Sequence, residues 1–142
     1  MSETTRTEAP WHLWIVGVLT ALWNTIGAFD FTATIARYEP YMAAFPAEAK
    51  EYWYSFPLWM FAIWGAAVWG GLLGSLLLLM RRKLAVALLG LSFACSVASM
   101  AISYVRPAPE GASDPVFALI IIAIAGALYF YALHMNKKGV LG

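Results

Sequence analysis

Four long apolar runs constrain the fold of this chain more than any other feature. They cover residues 11–35, 57–80, 84–105 and 115–135, and each reaches the roughly 20 residues that an α-helix needs to cross a bilayer. Lipid offers the backbone no hydrogen-bonding partner, so each run is expected to be helical. The sequence therefore predicts an all-α, polytopic membrane protein, a single domain over residues 1–142 that forms a four-transmembrane-helix bundle.

Composition excludes several other classes of protein. Apolar residues make up 62% of the chain and charged residues 12%, and the formal net charge is +1. Soluble domains are nearer 45–50% apolar and about 25% charged, so the expected partner is the lipid bilayer. The near-neutral balance argues against nucleic acid as a partner. One cysteine, Cys95, cannot form an internal disulfide and is interpreted as a small packing residue.

Motifs for catalysis are missing from the sequence. There is no zinc-ligand spacing, phosphate-binding loop, nucleophile–base arrangement or dinucleotide fingerprint, so the expectation is no enzyme, no catalytic residues, no metal and no cofactor. His12 and His134 leave open one alternative, a haem held between two spans, against the simpler interpretation that both make ordinary interfacial contacts.

Positive charge predicts the orientation of the bundle. The turn at 81–83 carries three basic residues, and Lys137 and Lys138 lie in the C-terminal tail. Cytoplasmic segments are enriched in lysine and arginine, which predicts that both termini and this turn are cytoplasmic. Residues 36–56 then form a long outer loop, with a short surface helix expected after Pro46.

Two rows of small residues follow the second span at helical spacing. The first is Ala62, Ala66, Gly70 and Gly74, and the second is Ala67, Gly71 and Ser75. Small residues at every fourth position allow two helices to approach closely in lipid. We take Ala66, Gly70, Gly71 and Gly74 as helix-packing residues. They fit contact with the third span or, alternatively, a seam between two chains.

The first span contains the only acidic residue within any span, Asp30. Asn24, Gly27 and Asp30 share a helical face that Thr34 continues, and Asn24 lies about 9 Å from Asp30 along the helix axis. A carboxylate at this depth must face the bundle, take a partner or be protonated. Asp30, Asn24, Trp23 and Thr34 are therefore the candidate proton- or substrate-binding residues, with Trp23 as an aromatic wall.

A structural role for Asp30 is the alternative. The carboxylate would then be a hydrogen-bond or ion-pair node, and five residues are candidate partners: Ser99, Ser103, Tyr104, Arg37 and Arg106.

The first two spans also resemble a known family. The segments 22–31, 56–57 and 64–81 are similar to a small bacterial four-span family whose members often carry an automatic "sugar transporter" label and are otherwise uncharacterised. The resemblance implies a multi-pass protein of the bacterial inner membrane. The architecture is also similar to that of the small multidrug-resistance transporters, which have four spans and an acid in the first. This chain departs from them in its greater length, its long first loop and an aspartate nearer the outer side.

Two functional hypotheses follow. The first is a small proton- or cation-coupled transporter of a small solute, working as a homodimer because four helices leave little room for a pathway. The second is a structural or accessory subunit of a larger membrane complex, which the glycine rows of the second span motivate.

Overall fold

The computed structural model describes residues 7–109, 112 and 114–142, and these residues form six α-helices without a strand. In chain order the helices are α1 (Trp11–Ile35), α2 (Glu39–Met42), α3 (Ala47–Tyr54), α4 (Leu58–Leu79), α5 (Leu84–Val105) and α6 (Pro115–Lys137). α1, α4, α5 and α6 are 22 to 25 residues long and apolar enough to cross a membrane. At 1.5 Å per residue they measure about 33–38 Å, against a hydrocarbon core of about 30 Å. The predicted all-α fold with four membrane-spanning helices is confirmed.

Prolines fix where several helices begin. Pro10, Pro46 and Pro57 directly precede α1, α3 and α4, and Pro115 is the first residue of α6. Proline suits these positions because its φ is fixed near the helical value and its missing N–H is not needed in the first turn. Pro57 therefore separates α3 from α4 instead of kinking one longer helix. The short helix α2 is an element that the sequence did not predict.

Left-handed residues end three of the helices. Arg37, Arg81 and Gly139 follow α1, α4 and α6 with φ values of 54°, 57° and 78°. After α1, the N–H of Tyr38 donates to the carbonyl of Ala33 over 2.9 Å, which closes the helix with a Schellman-type bond. The chain reverses there, so α2 and α3 return over the end of the bundle.

The bundle has two distinct ends. The loop side is the end formed by residues 36–57 and 106–109, and the terminal side is the end formed by residues 7–10, 80–83 and 138–142. Which end faces the cytoplasm stays a prediction.

The four long helices pack in the order α1, α4, α5, α6, with α4 and α5 making the most extensive contact. The small residues of α4 explain this closeness. Gly70, Gly71 and Gly74 are buried, and a methyl group on Gly74 would meet the Cδ2 atom of Leu89 at 2.6 Å. Ala66 is half-buried. The glycines of both rows are therefore used within the chain, between α4 and its neighbours α5 and α1.

The terminal side is sealed by the hydrophobic core. Its members come from α1, α4, α5, α6 and the tail: Leu13, Leu78, Ala85, Leu89, Leu128, Ala132, Met135, Val140 and Leu141. Hydrogen bonds also link the chain segments at this end of the bundle. The N–H of Thr7 donates to Gly139 over 2.9 Å, the N–H of Gly142 donates to the carbonyl of Arg81 over 2.7 Å, and the Arg81 guanidinium donates to the carbonyls of Val140 and Thr7.

The boundary between α1 and α6 is packed differently, because these two helices meet through side chains rather than through close backbones. His12 Nδ1 and the Tyr131 hydroxyl lie 2.5 Å apart near the terminal side, and the rings of Trp23 and Phe117 lie 5.9 Å apart further along. We call this boundary between α1 and α6 the seam. Behind the seam, the helices enclose a cavity.

Candidate functional site

A cavity of about 720 Å³ lies inside the loop-side half of the bundle. All four long helices line it, and the first loop covers it. Leu89 and Leu128 belong both to its wall and to the hydrophobic core, so the cavity ends where the sealed terminal half begins. Its other end reaches Tyr52 of α3 and Asp114 at the start of α6. The space is thus a deep, one-ended pocket within a single chain.

Asp30 lies in the wall of this cavity and is half-buried. Its Oδ1 atom accepts a hydrogen bond of 2.5 Å from the hydroxyl of Tyr41. Among the residues that the structure describes, the carboxylate has no basic side chain within ion-pair distance. An ionised carboxylate offers about four acceptor positions, and the hydroxyl of Tyr41 occupies one of them.

Among the described residues, none of the partners proposed for Asp30 from sequence forms a hydrogen bond or an ion pair with its carboxylate. The Arg37 guanidinium stacks over the ring of Tyr54 at 4.3 Å. Arg106 donates to the sulfur of Met60 at 3.0 Å. Tyr104 is 90% exposed on the outer face of α5. The structure supplies Tyr41 instead, from an element that the sequence did not predict.

Tyr41 lies outside the spanning segments, and its phenol responds to this contact. Burial raises the pKa of Tyr41 to about 12, and the hydrogen bond to Asp30 and the negative charge of that carboxylate act in the same direction. The phenol therefore stays protonated and remains a donor to Asp30 throughout the physiological pH range.

Aromatic side chains of the first loop cover the cavity at the loop side. We define the aromatic roof as Tyr41, Phe45, Tyr52, Trp53 and Phe56, all of which line the cavity. Edge-on contacts link Tyr41 to Phe45 at 5.4 Å and Phe45 to Trp53 at 5.1 Å. Edge-to-face pairs of this kind add stabilisation beyond burial alone. Tyr41, Phe45 and Trp53 thus form one connected group, which the hydrogen bond from Tyr41 to Asp30 joins to α1, and Tyr52 and Phe56 form a separate edge-on pair at 5.1 Å.

Asn24 lines the cavity at middle depth. Its amide nitrogen donates to the carbonyl of Thr20 over 2.8 Å and to the hydroxyl of Ser75 over 3.4 Å. Its side-chain oxygen is pressed against Gly71, where any Cβ atom would collide with it. Gly71 is therefore required for Asn24 to reach this position.

The other two candidate residues differ in their placement. Trp23 lines the cavity and contacts Phe117 across the seam, as an aromatic wall would. Thr34 is 1% exposed and is not part of the cavity wall. Its hydroxyl donates to the backbone carbonyl of Asp30 over 2.7 Å, so it caps the helix backbone rather than facing a solute.

A line of serines on α5 forms the polar part of the opposite wall. Ser92, Ser96, Ser99 and Ser103 are spaced by four, three and four residues, and all four line the cavity. Ser92 donates to the carbonyl of Ala67 over 2.6 Å, and Ser96 donates to that of Ser92 over 2.8 Å. From the sequence, Ser99 and Ser103 are expected only as candidate hydrogen-bond partners of Asp30. The helical spacing of all four serines was the signal that could have identified them as one face.

The two histidines do not form a shared site. His12 is engaged by the hydroxyl of Tyr131, and His134 is exposed in the last turn of α6. Within the described residues no group of three or more histidine, cysteine or acidic side chains is arranged to hold a metal ion.

Comparisons with known proteins leave the site to be interpreted from its own geometry. No family model, curated protein or solved structure matches the chain. The fold and the apolar helices define an integral, multi-pass membrane protein with a solute-sized internal cavity.

Proposed function

We propose that this protein is a small proton- or cation-coupled transporter of the bacterial inner membrane, and not an enzyme. The observation that carries the proposal is the position of Asp30, a carboxylate within a membrane span that lines a cavity of about 720 Å³. Binding pockets for small molecules commonly enclose about 300–1,000 Å³.

The chemistry of an acid at this depth supports coupling. A carboxylate within a span is costly and is retained where it faces a cavity or a partner, which makes such residues frequent components of proton and ion pathways. The Asp30 carboxylate has one hydrogen-bond donor, Tyr41, and no basic counter-charge among the described residues. Its negative charge is therefore available to a proton or to a cationic group.

The unequal ends of the bundle support a carrier rather than an open channel. The core and the contacts of Arg81 with the tail close the terminal side, whereas the cavity extends to the roof on the loop side. A pathway closed at one end is what an alternating-access carrier presents in one of its states. One chain lines the whole cavity, and the oligomeric state stays a prediction.

Flux measurements on reconstituted protein test the proposal. Proteoliposomes containing trapped pH-sensitive and sodium-sensitive dyes are challenged with a panel of sugars, amino acids and alkylammonium salts. We expect at least one solute to change the internal pH or the internal sodium concentration, and we expect Asp30→Asn to abolish that response while the protein still elutes as a folded species. Glu48→Gln, at an exposed carboxylate on α3, is the matched control. No response to any solute, or an unchanged response in Asp30→Asn, contradicts the proposal.

The alternative is an accessory subunit of a larger membrane complex, which the glycine rows of α4 motivated. Gly70, Gly71 and Gly74 of these rows pack against α5 and α1 within the chain. Recovery of a stoichiometric partner in mild detergent would favour that alternative, and a single homogeneous species would favour the transporter.

A further inference from the structure

We propose that the cavity selects an amphipathic organic cation, a positively charged nitrogen attached to an apolar body. This inference deepens the proposed function, because it names the solute class of the same cavity. It rests on the charges, the rings and the hydrogen-bonding groups that line the space.

The formal charge of the cavity is negative. Its described wall contains two carboxylates, Asp30 and Asp114, and no lysine, arginine or histidine. Asp114 is partly engaged, because its Oδ1 atom accepts the N–H of Val116 over 3.0 Å at the start of α6. Asp30 projects from α1 on the other side of the seam. A cation between the two walls is attracted by both carboxylates, and an anion is repelled by both.

The basic side chains of Arg106 and Arg37 lie at the loop side but are not part of the cavity wall. Arg106 turns its guanidinium to Met60 and lies 5.7 Å from the ring of Phe56. Arg37 is held over Tyr54. Both cations are therefore engaged by side chains of the loop side and of α4, and neither pairs with Asp30.

Aromatic side chains offer a second attraction for a cation. Trp23 and Trp64 line the cavity together with the rings of the aromatic roof, of which Phe56 already has the Arg106 guanidinium over its ring. The face of an aromatic ring carries partial negative charge, so a desolvated ammonium group is stabilised near it. The isoleucines of α6 that line the cavity, Ile121, Ile122 and Ile124, suit an apolar body.

Several polar groups of the wall are already occupied, which disfavours a sugar. A sugar requires many hydrogen-bond partners, and burying its hydroxyls without them is costly. The hydroxyls of Ser92 and Ser96 already donate to backbone carbonyls, and the amide nitrogen of Asn24 is used by Thr20 and Ser75, which leaves Ser99 and Ser103 as the serine hydroxyls open to a solute. The wall thus favours one charged contact within apolar surroundings.

Direct binding to the purified full-length chain in a nonionic detergent tests this inference. The probes are benzyltrimethylammonium, its neutral isostere neopentylbenzene, and the anion benzenesulfonate, each titrated by calorimetry at low ionic strength. We expect the cation to bind about tenfold or more tightly than the neutral isostere and the anion not to bind. We expect Asp30→Asn to lower the affinity for the cation about tenfold while leaving the neutral probe unchanged, and Glu48→Gln to alter neither.

Comparison of the three probes on the unmodified protein keeps the inference testable if Asp30→Asn fails to fold. Equal binding of cation and neutral isostere, preference for the anion, or no binding of any probe overturns it. These outcomes are distinct from those of the flux experiment. Asp30-dependent flux of a neutral solute without cation preference removes the inference and keeps the transporter. Cation binding without any flux removes the transporter and leaves a cation-binding membrane protein.

Discussion

At the scale of the residue, the pair formed by Tyr41 and Asp30 joins the first loop to the first span. The hydroxyl of Tyr41 donates to the carboxylate over 2.5 Å. A hydrogen bond to a charged group contributes about 1.5–3 kcal/mol when well formed. This single contact fixes both the acid of the cavity and the roof above it.

Tyr41 should be the last tyrosine of the described chain to ionise. Its pKa is raised to about 12, so the folded state favours the protonated phenol more strongly than the unfolded state does. The stability that Tyr41 contributes is therefore fully present below pH 10 and is lost as the pH rises through about 12. Alkaline difference absorbance at 295 nm should show a late component that disappears in Tyr41→Phe.

The control for this titration is Tyr104→Phe, because Tyr104 is 90% exposed. This variant should retain the late component. A late component that survives in Tyr41→Phe would mean that a different phenol carries the shift.

At the scale of the element, the packing of α4 depends on which glycine faces which neighbour. A methyl group on Gly71 would collide with the Asn24 side chain, whereas one on Gly70 would meet the Leu88 carbonyl at 3.5 Å, an ordinary contact. Overpacking of a tight interface costs about 1–3 kcal/mol. Alanine in place of a helical glycine otherwise stabilises by about 0.5–1 kcal/mol.

The changes in unfolding temperature caused by Gly71→Ala and Gly70→Ala should therefore differ in sign or clearly in size. We expect Gly71→Ala to lower the unfolding temperature in detergent and Gly70→Ala to leave it unchanged or raise it slightly. Equal destabilisation by both substitutions would show that Asn24 does not occupy the space beside Gly71.

The elements themselves were predictable, because hydrophobic length and the prolines at 57 and 115 fix where long helices begin and end. The partner of Asp30 was not predictable. Tyr41 reaches it only because the left-handed Arg37 reverses the chain and α2 then forms, and both depend on tertiary contacts. The seam could not be predicted from the sequence either, because the spans are apolar around most of their surface and show no periodic preference for one neighbour.

At the scale of the whole molecule, the two ends of the bundle differ in how accessible they are to a reagent in solution. Ser103 lies in the cavity wall near the loop side, and Ser75 is fully buried between helices. Lys138 is exposed at the terminal side. These three positions report on how the bundle is entered and how it is oriented.

Cysteine substitutions in a Cys95→Ala background should separate the two ends. In intact cells, a membrane-impermeant cationic thiol reagent should label Ser103→Cys, because the positive-inside pattern predicts that the loop side faces outward. Lys138→Cys should be labelled only after the cells are opened, and Ser75→Cys in neither condition. Labelling of Lys138→Cys in intact cells would reverse the predicted orientation, and rapid labelling of Ser75→Cys would contradict the sealed packing around it.

The seam between α1 and α6 has a consequence for how a solute arrives. Only side-chain contacts such as Trp23–Phe117 hold this boundary, and the outer faces of both helices are apolar. A compound already dissolved among the acyl chains would reach the cavity laterally through the seam, without first crossing the headgroup region. Its occupancy would then follow its partition coefficient into the leaflet, and the apparent affinity measured in vesicles would change with the lipid-to-protein ratio.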